Sequence, residues 1–409
     1  MTRRPVRIDQ VMPSIVERDA VSRHALEAQQ VLRSMGFVSE IYACTMGAGL
    51  FGRAHLLAEL PRVPGGSQWL CYQSSIGSPA ADAVLAHPGP VVVNYHNITP
   101  PELVEHWMPS LGEEVRLGRA QLAALASVAS IGIAVSEFNK AELDAAGYNS
   151  SVVAPLMSDS AGAGASPDPR TLRRLEAARE GGGRDWLFVG QMLPHKAHHD
   201  VVKALACARS SVDPDARLHL VGRESCPPYV EALRRFVRDL GLEEAVCFAG
   251  SVSAAELAAY FEASDVFVCC SDHEGFCAPL IEALHHELPV VAYGAAAVPE
   301  TLVDAGLVLT TKEPVLVAAA VDRVTGDDRL RARLIEAGSK RAMDFTLESA
   351  RSSFRDAIEL ALYKTGGSGG SRRETETAEG DRGERGHHER EGDGDDLEGE
   401  RRASRSDHA

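Results

Sequence analysis

No stretch of this 409-residue chain approaches the roughly 18 consecutive apolar residues of a membrane-spanning helix, which argues against an integral helical membrane protein. The first residues, MTRRPVRIDQVMPSIV, are basic but lack the apolar core and cleavage site of a secretory leader. Net positive charge is also missing. Against 42 Lys and Arg stand 58 Asp and Glu, a formal charge of −16, which leaves no broad surface for nucleic acid, so any bound phosphate is small and locally held. The 8 cysteines form no CxxC pair and no Cys/His spacing of a zinc site, and several sit in apolar runs such as VFVCC. They read as buried thiols of a protein that stays in a reducing cytoplasm. No GxGxxG follows a readable strand, against a dinucleotide oxidoreductase. No Asp-x-Asp dyad stands where it would bridge a metal to a diphosphate, since DGDD lies near residue 395 in a polar tail, and no catalytic metal or other cofactor is expected.

What the sequence does contain is a regular alternation of short apolar runs with helix-period stretches, the pattern of βαβ units and a parallel sheet. In the first half the strands read as VRIDQVM, SEIYAC, WLCYQ, VVVNYH and IGIAVS. A helix with Val21, Ala25, Ala28, Val31 and Leu32 on one face ends at Gly36. Ser136 caps another in IAVSEFNKAEL. The alternation restarts with DWLFVG, RLHLVG, AVCFAG, VFVCCS, PVVAYG and GLVLT. The fold class is therefore α/β, with two Rossmann-like, doubly wound parallel-sheet domains. They are placed at residues 1–160 and 184–345 around a Pro-, Gly- and Ser-rich linker at 161–183, with a closing helix at 346–364. That last helix, near ESARSSFRDAIELAL, is expected to cross back to the first domain. Residues 365–409 have almost no large apolar side chains, and a disordered tail is expected there. The basic helix TLRRLEAAREGGGR is short for a membrane-binding patch and reads as solvated, so peripheral membrane contact is not invoked.

Within SDHEGFCAPLIEALHHELPVVAYG, Glu274 follows a strand and Glu282 falls eight residues later inside a helix that Pro279 starts. Gly275, Phe276, Cys277 and Ala278 then offer backbone amides at a helix N-terminus, a place suited to a diphosphate, and Gly275 leaves room for close approach. Glu282 points towards the same cavity as an acceptor for ribose hydroxyls. Two surface carboxylates near a helix start are the plainer alternative. In DWLFVGQMLPHKAHHD, a buried strand ends at Gly190 and a tight loop delivers Lys196, where an ammonium stabilises a departing phosphate as a point charge. A solvated lysine is the alternative there. His96 and Asn97 stand just past the strand VVVNYH, at the edge where open α/β sheets hold ligands.

The order strand–Gly–x5–Lys, LHLVG, Glu–x7–Glu, PVVA and Pro-Glu resembles the retaining GT-B glycosyltransferases of family 4, glycosyl transferases group 1. The resemblance spans roughly residues 5–363 and is most specific over 184–310. It implies a first domain on the acceptor side, a second that binds the nucleotide, and a cleft between them. It implies transfer of a hexose from a nucleoside diphosphate sugar to an acceptor hydroxyl with retention. Glu274 would orient the sugar, Lys196 and the amides after Glu274 the leaving diphosphate, Glu282 the ribose, and His96 the transferring centre. Gly190, Gln191, Arg223, Gly250, Ser251 and Val252 would complete the donor site. Gln191 stands where the family usually has Arg, a charge that Arg223, His195 or His198 would have to replace. Ala295, Ala296 and Ala297 stand in place of the family's paired glycines before Pro299 and Glu300, and Asp19, Ala20, Val21 and Ser22 in place of a Gly-rich first loop. Asp19, Ser22 and Asn97 remain acceptor-side candidates. The acceptor class stays open among a lipid, a cell-wall precursor, a natural product and a saccharide. A non-catalytic nucleotide-sugar-binding protein, or a GT-B-fold epimerase or phosphorylase, would share the shape.

Overall fold

The structure, a computed structural model, describes residues 7–17, 19–63, 67–157, 164–179 and 181–367. Of the tail expected at 365–409, residues 365–367 instead continue the last helix, and 368–409 lie outside the described residues, as do 158–160 at the end of the expected first domain and 161–163 and 180 of the expected linker. The first sheet holds β1 (Arg7–Ile15), β2 (Ile41–Met46), β3 (His55–Leu56), β4 (Gln68–Ser74), β5 (Val91–Tyr95), β6 (Ala129–Ala134) and β7 (Ser151–Val153). The second holds β8 (Asp185–Val189), β9 (Arg217–Val221), β10 (Val246–Gly250), β11 (Val266–Cys269), β12 (Val290–Tyr293) and β13 (Leu307–Leu309). All described pairings are parallel, in the orders β3-β2-β1-β4-β5-β6-β7 and β10-β9-β8-β11-β12-β13. The short strands β3 and β7 escape the sequence pattern because two or three residues show no readable period.

In both sheets the order reverses beside the first strand, between β1 and β4 and between β8 and β11. Loops leaving neighbouring strands diverge there and open a crevice, where doubly wound sheets take ligands. In the second domain the two loops at this point, after β8 and after β11, carry Lys196 and Glu274. The β8 and β9 ends are drawn tightly together, and a Cβ on Gly222 would lie 1.9 Å from the Gly190 carbonyl oxygen. Only glycine fits at that position.

The closing helix, Leu347–Gly367, packs on the first domain. Its Ala350, Phe354, Ala357, Ile358 and Ala361 share a buried cluster with Ile8, Leu32, Trp69, Val92 and Ile131. Arg351 pairs with Glu27 of the helix Ala20–Ser34. Phe354 is fully buried. Phe354→Ala should therefore lower the unfolding free energy of the first domain by about 3–5 kcal/mol in urea titration, while an exposed control, Tyr363→Ala, changes it little. Among the described residues no helix is long and apolar enough to cross a membrane. The helix Pro169–Ala178 is amphipathic, with Thr171 and Leu175 buried, and it turns basic side chains to the second domain. Arg174 donates to the Tyr260 hydroxyl at 2.9 Å, and Arg179 to Asp265 at 2.7 Å.

Candidate active site

The β8 loop closes as a short 3₁₀ turn, Pro194–Lys196, before the helix His198–Ser211. Ala197, between them, is left-handed at φ 49°. The β11 loop runs into the helix Ala278–His285 through Cys277, left-handed at φ 62°, with Pro279 in its first turn. These turns bring Lys196 Nζ to 2.8 and 2.7 Å from the two oxygens of Glu274, with most of both side chains buried. Burial works against the lysine's charge, and the Glu274 carboxylate outweighs it, holding the ammonium above its ordinary value. The lysine therefore stays charged at neutral pH.

The Glu274 carbonyl accepts from Ala297 N at 3.1 Å, and the Phe276 carbonyl from the Thr301 hydroxyl at 3.1 Å. The Ala295–Ala297 segment thus fixes the loop. Ala296 there is left-handed at φ 50°, a conformation that suits glycine better and costs an alanine about 1–2 kcal/mol. Glu282 is buried on the helix Ala278–His285, four residues beyond its start. Cys269, Glu274 and Cys277 each place one potential ligand atom within 4.8 Å of the others. Glu274 is already held by an ammonium, so a divalent cation bound there would face like charge.

The first domain meets this loop directly. His273 Nε2 donates to Asn97 Oδ1 at 2.8 Å. A Cβ on Gly275 would come within 2.4 Å of Asn97 Cβ, so the two loops touch only because residue 275 is glycine. Asn97 is itself left-handed at φ 83°, a state Asn tolerates. His96 Nε2 donates to Gln73 Oε1 at 2.6 Å, leaving the buried Nδ1 as a bare acceptor with no partner among the described residues. Burial draws His96 down to about 3, so its ring is neutral. Gln73 belongs to a buried chain: its amide nitrogen donates to Gln10 at 2.7 Å, Asn94 meets it at 3.1 Å, and Asn94 also meets His24 Nε2 at 2.6 Å. Met157 N donates to His24 Nδ1 at 3.0 Å. Pattern reading does not reveal this chain, because Gln10, Gln73 and Asn94 stand singly in separate strands.

Glu300, of the Pro-Glu pair, accepts from the backbone nitrogens of Glu137 and Phe138, both at 2.8 Å, and caps the helix Glu137–Ala145 across the domain boundary. Ser136 caps the same helix through Asn139 N. Lys312 bridges Asp200 and Asp272 and so ties the helix after the Lys196 loop to the loop carrying Glu274.

Several sequence candidates have other partners. Asp19 caps the helix Ala20–Ser34 by accepting from Ser22 N at 2.8 Å and Ser22 Oγ at 2.9 Å, while that hydroxyl accepts from Val16 N at 3.0 Å. The structure thus occupies both Asp19 and Ser22 in the cap. Of the three residues offered as a replacement for the family arginine, His195 and His198 are buried and driven neutral, and they bring no charge. Arg223 does, donating to Gln191 Oε1 at 3.1 Å. Ser251 and Val252 line a separate cavity of about 900 Å³ whose wall includes neither Lys196 nor Glu274.

Residues 173–341 match the profile of the family described as glycosyl transferases group 1. The match covers less than half of the chain. It contains Gly190, Gln191, Lys196, Arg223, Glu274 and Glu282. A stretch of 189 residues is 32% identical to the GDP-mannose-dependent alpha-(1-6)-phosphatidylinositol monomannoside mannosyltransferase of Mycolicibacterium smegmatis, covering 44% of this chain and 48% of that protein. Another of 192 residues is 27% identical to the D-inositol 3-phosphate glycosyltransferase of Corynebacterium diphtheriae, covering 44% and 45%. The chain spans about half the length of these curated relatives. The chain superposes on Anabaena Alr3699/HepE, solved with UDP and glucose, at TM-score 0.68 and 17% identity, covering 87% of this chain and 99% of that one. WaaG, a glycosyltransferase of lipopolysaccharide biosynthesis, superposes at TM-score 0.60 and 16% identity, covering 86% and 99%. At these identities the likeness is one of fold, the two-domain GT-B arrangement.

Proposed function

We propose that the protein is a retaining glycosyltransferase that moves a hexose from a nucleoside diphosphate sugar to an acceptor hydroxyl without a metal ion, in a reducing cytoplasm. The observation that carries this reading is the buried Lys196–Glu274 pair at the switch point of the second domain, set beside a helix N-terminus and against the first-domain loop bearing His96 and Asn97. The ammonium balances charge as the diphosphate departs, and the helix end favours the same anion. Each Glu274 oxygen, already held by Lys196, keeps a further lone pair with which to accept from sugar hydroxyls, and Glu282 takes the ribose. His96, neutral and with Nδ1 unpartnered among the described residues, accepts a hydrogen bond from a hydroxyl of the sugar. Attack from the face the diphosphate leaves needs no covalent enzyme intermediate. Eight free thiols suit the reducing compartment.

The donor named for the M. smegmatis relative puts GDP-mannose first in any trial, with UDP-, ADP- and dTDP-sugars beside it. The acceptor rests with the first domain and lies among lipid, cell-wall precursor, natural product and saccharide. Thermal shift and donor hydrolysis, measured with EDTA present on the wild type and Glu274→Ala, test the reading. One donor should stabilise the protein and hydrolyse slowly, and Glu274→Ala should abolish turnover. Binding without turnover on any acceptor would instead make the protein a nucleotide-sugar binder, and a requirement for added metal would overturn the metal-free step.

A further inference from the structure

The cavity that holds Ser251 and Val252 lies beneath the helices Pro169–Ala178 and Ala254–Ala263, against the edge strand β10, and Cys247 is on its wall. Cys247 is half-buried and directly opposite His219 on β9. His219 is buried and meets Asp185 Oδ1 through Nε2 at 2.9 Å. Its other nitrogen, Nδ1, has no hydrogen-bond partner among the described residues and is the ring atom left for the neighbouring thiol. Asp185, His219 and Cys247 thus form a carboxylate–imidazole–thiol series across three adjacent strands. The His219 ring draws the Cys247 thiol below its ordinary value against the effect of burial, and Arg174 adds to this. Burial alone would lower His219, but Asp185 and Cys247 together hold it above its ordinary value.

The charges on the cavity wall are asymmetric in availability. Asp168 accepts from Thr171 N at 2.7 Å as a helix cap, and Glu256 accepts from Ser253 N at 2.8 Å in a capping box. Both carboxylates are tied to backbone. Arg170 and Arg174 remain as the cations, Arg174 steadied by its bond to Tyr260.

We infer that Cys247 is a thiol-modification site that takes a small carboxylate-bearing disulfide of the glutathione disulfide type, Arg170 and Arg174 holding the carboxylates while Cys247 Sγ exchanges with the bound S–S bond. The Cys247 proton passes to His219 Nδ1, and Asp185 steadies the imidazolium. The sulfur then attacks one sulfur of the disulfide, a new S–S bond forms as the old one breaks, and the departing thiolate recovers the proton from His219. Thiol and disulfide give mixed disulfide and thiol, with no other oxidant.

The test is the full chain under native conditions with a deficit of anionic dithiobis-nitrobenzoate, or of neutral dithiodipyridine, followed by peptide mapping of the first cysteine labelled. Cys247 should react roughly tenfold faster than the other half-buried thiols, Cys44 and Cys207. Arg174→Gln should slow the anionic reagent several-fold and leave the neutral one unchanged, and His219→Gln should bring Cys247 down to the rate of Cys44. First labelling at Cys44 or Cys207 in the wild type would overturn the site, even if His219→Gln does not fold. Equal slowing of both reagents by Arg174→Gln would overturn the anion recognition.

Discussion

Lys196→Ala will abolish most donor turnover, lowering kcat by roughly a hundred- to a thousandfold, the loss that follows removal of one group aimed at developing negative charge. It also leaves Glu274 buried without the cation that holds both its oxygens at 2.8 and 2.7 Å, and taking away one partner of such a pair destabilises by about 3–5 kcal/mol. The two effects separate in a double-mutant cycle with Glu274→Gln. The double variant should recover much of the lost melting temperature, because the unpaired carboxylate is gone, and none of the lost turnover. Turnover within a few-fold of wild type in Lys196→Ala would remove the lysine from the chemistry, whatever its effect on melting.

Acid should unfold this protein earlier than its acidic composition suggests. His198 is fully buried, its ring centroid 4.4 Å from that of Phe188 and neither nitrogen partnered among the described residues, and burial pushes it down to about 3. In the unfolded chain it titrates near 6.5, so below that value the unfolded state binds the extra proton. Its contribution is intact above pH 6.5 and is lost as pH falls towards 3. At pH 5 the loss from this residue alone is about 2 kcal/mol. His24, His96 and His195 shift in the same direction. Together they draw on a total of only about 5–15 kcal/mol. His219, raised by Asp185 and Cys247 against burial, acts in the opposite sense, stabilising below pH 6.5 and losing that effect as pH rises through its folded value. Melting temperatures from pH 8 to 5 should fall steeply for the wild type and less for His198→Phe. That variant should also melt higher at pH 7, since it removes two unpaired buried nitrogens. Parallel curves for the two proteins would show that His198 is not the titrating group.

The two sheets were legible because each strand of the second domain is a short apolar run ending in a turn, and Lys196 and Glu274 because they stand immediately after such runs. Their mutual contact was not legible, since it depends on β8 and β11 being neighbours, a matter of strand order that no local pattern encodes. The same holds for Glu300, whose partners Glu137 and Phe138 belong to the other domain, and for Gln73, which looks like an ordinary polar residue near a strand end until His96 is seen against it. Asp19 and Ser22 illustrate the reverse. Their place in a loop after the first strand suggested a ligand contact, yet Asp three residues before Ser at a helix start is also a cap, and the cap is what forms. His198 carried no local sign of its environment, because a histidine near a helix start reads as readily exposed as enclosed.

The helix Leu347–Gly367 bears on how the polypeptide is made. The last strand of the first sheet ends at Val153, yet the buried cluster on that sheet is not complete until Ala350 to Ala361 arrive. At ribosomal speeds of about 5–20 residues per second, the first domain waits roughly 10–40 s with the cluster of Ile8, Leu32 and Trp69 incompletely covered, while the whole second domain is produced and free to fold before it. The half synthesised first is therefore the half completed last, and a nascent chain stalled anywhere between the two sheets presents a sticky surface to whatever chaperones attend the ribosome.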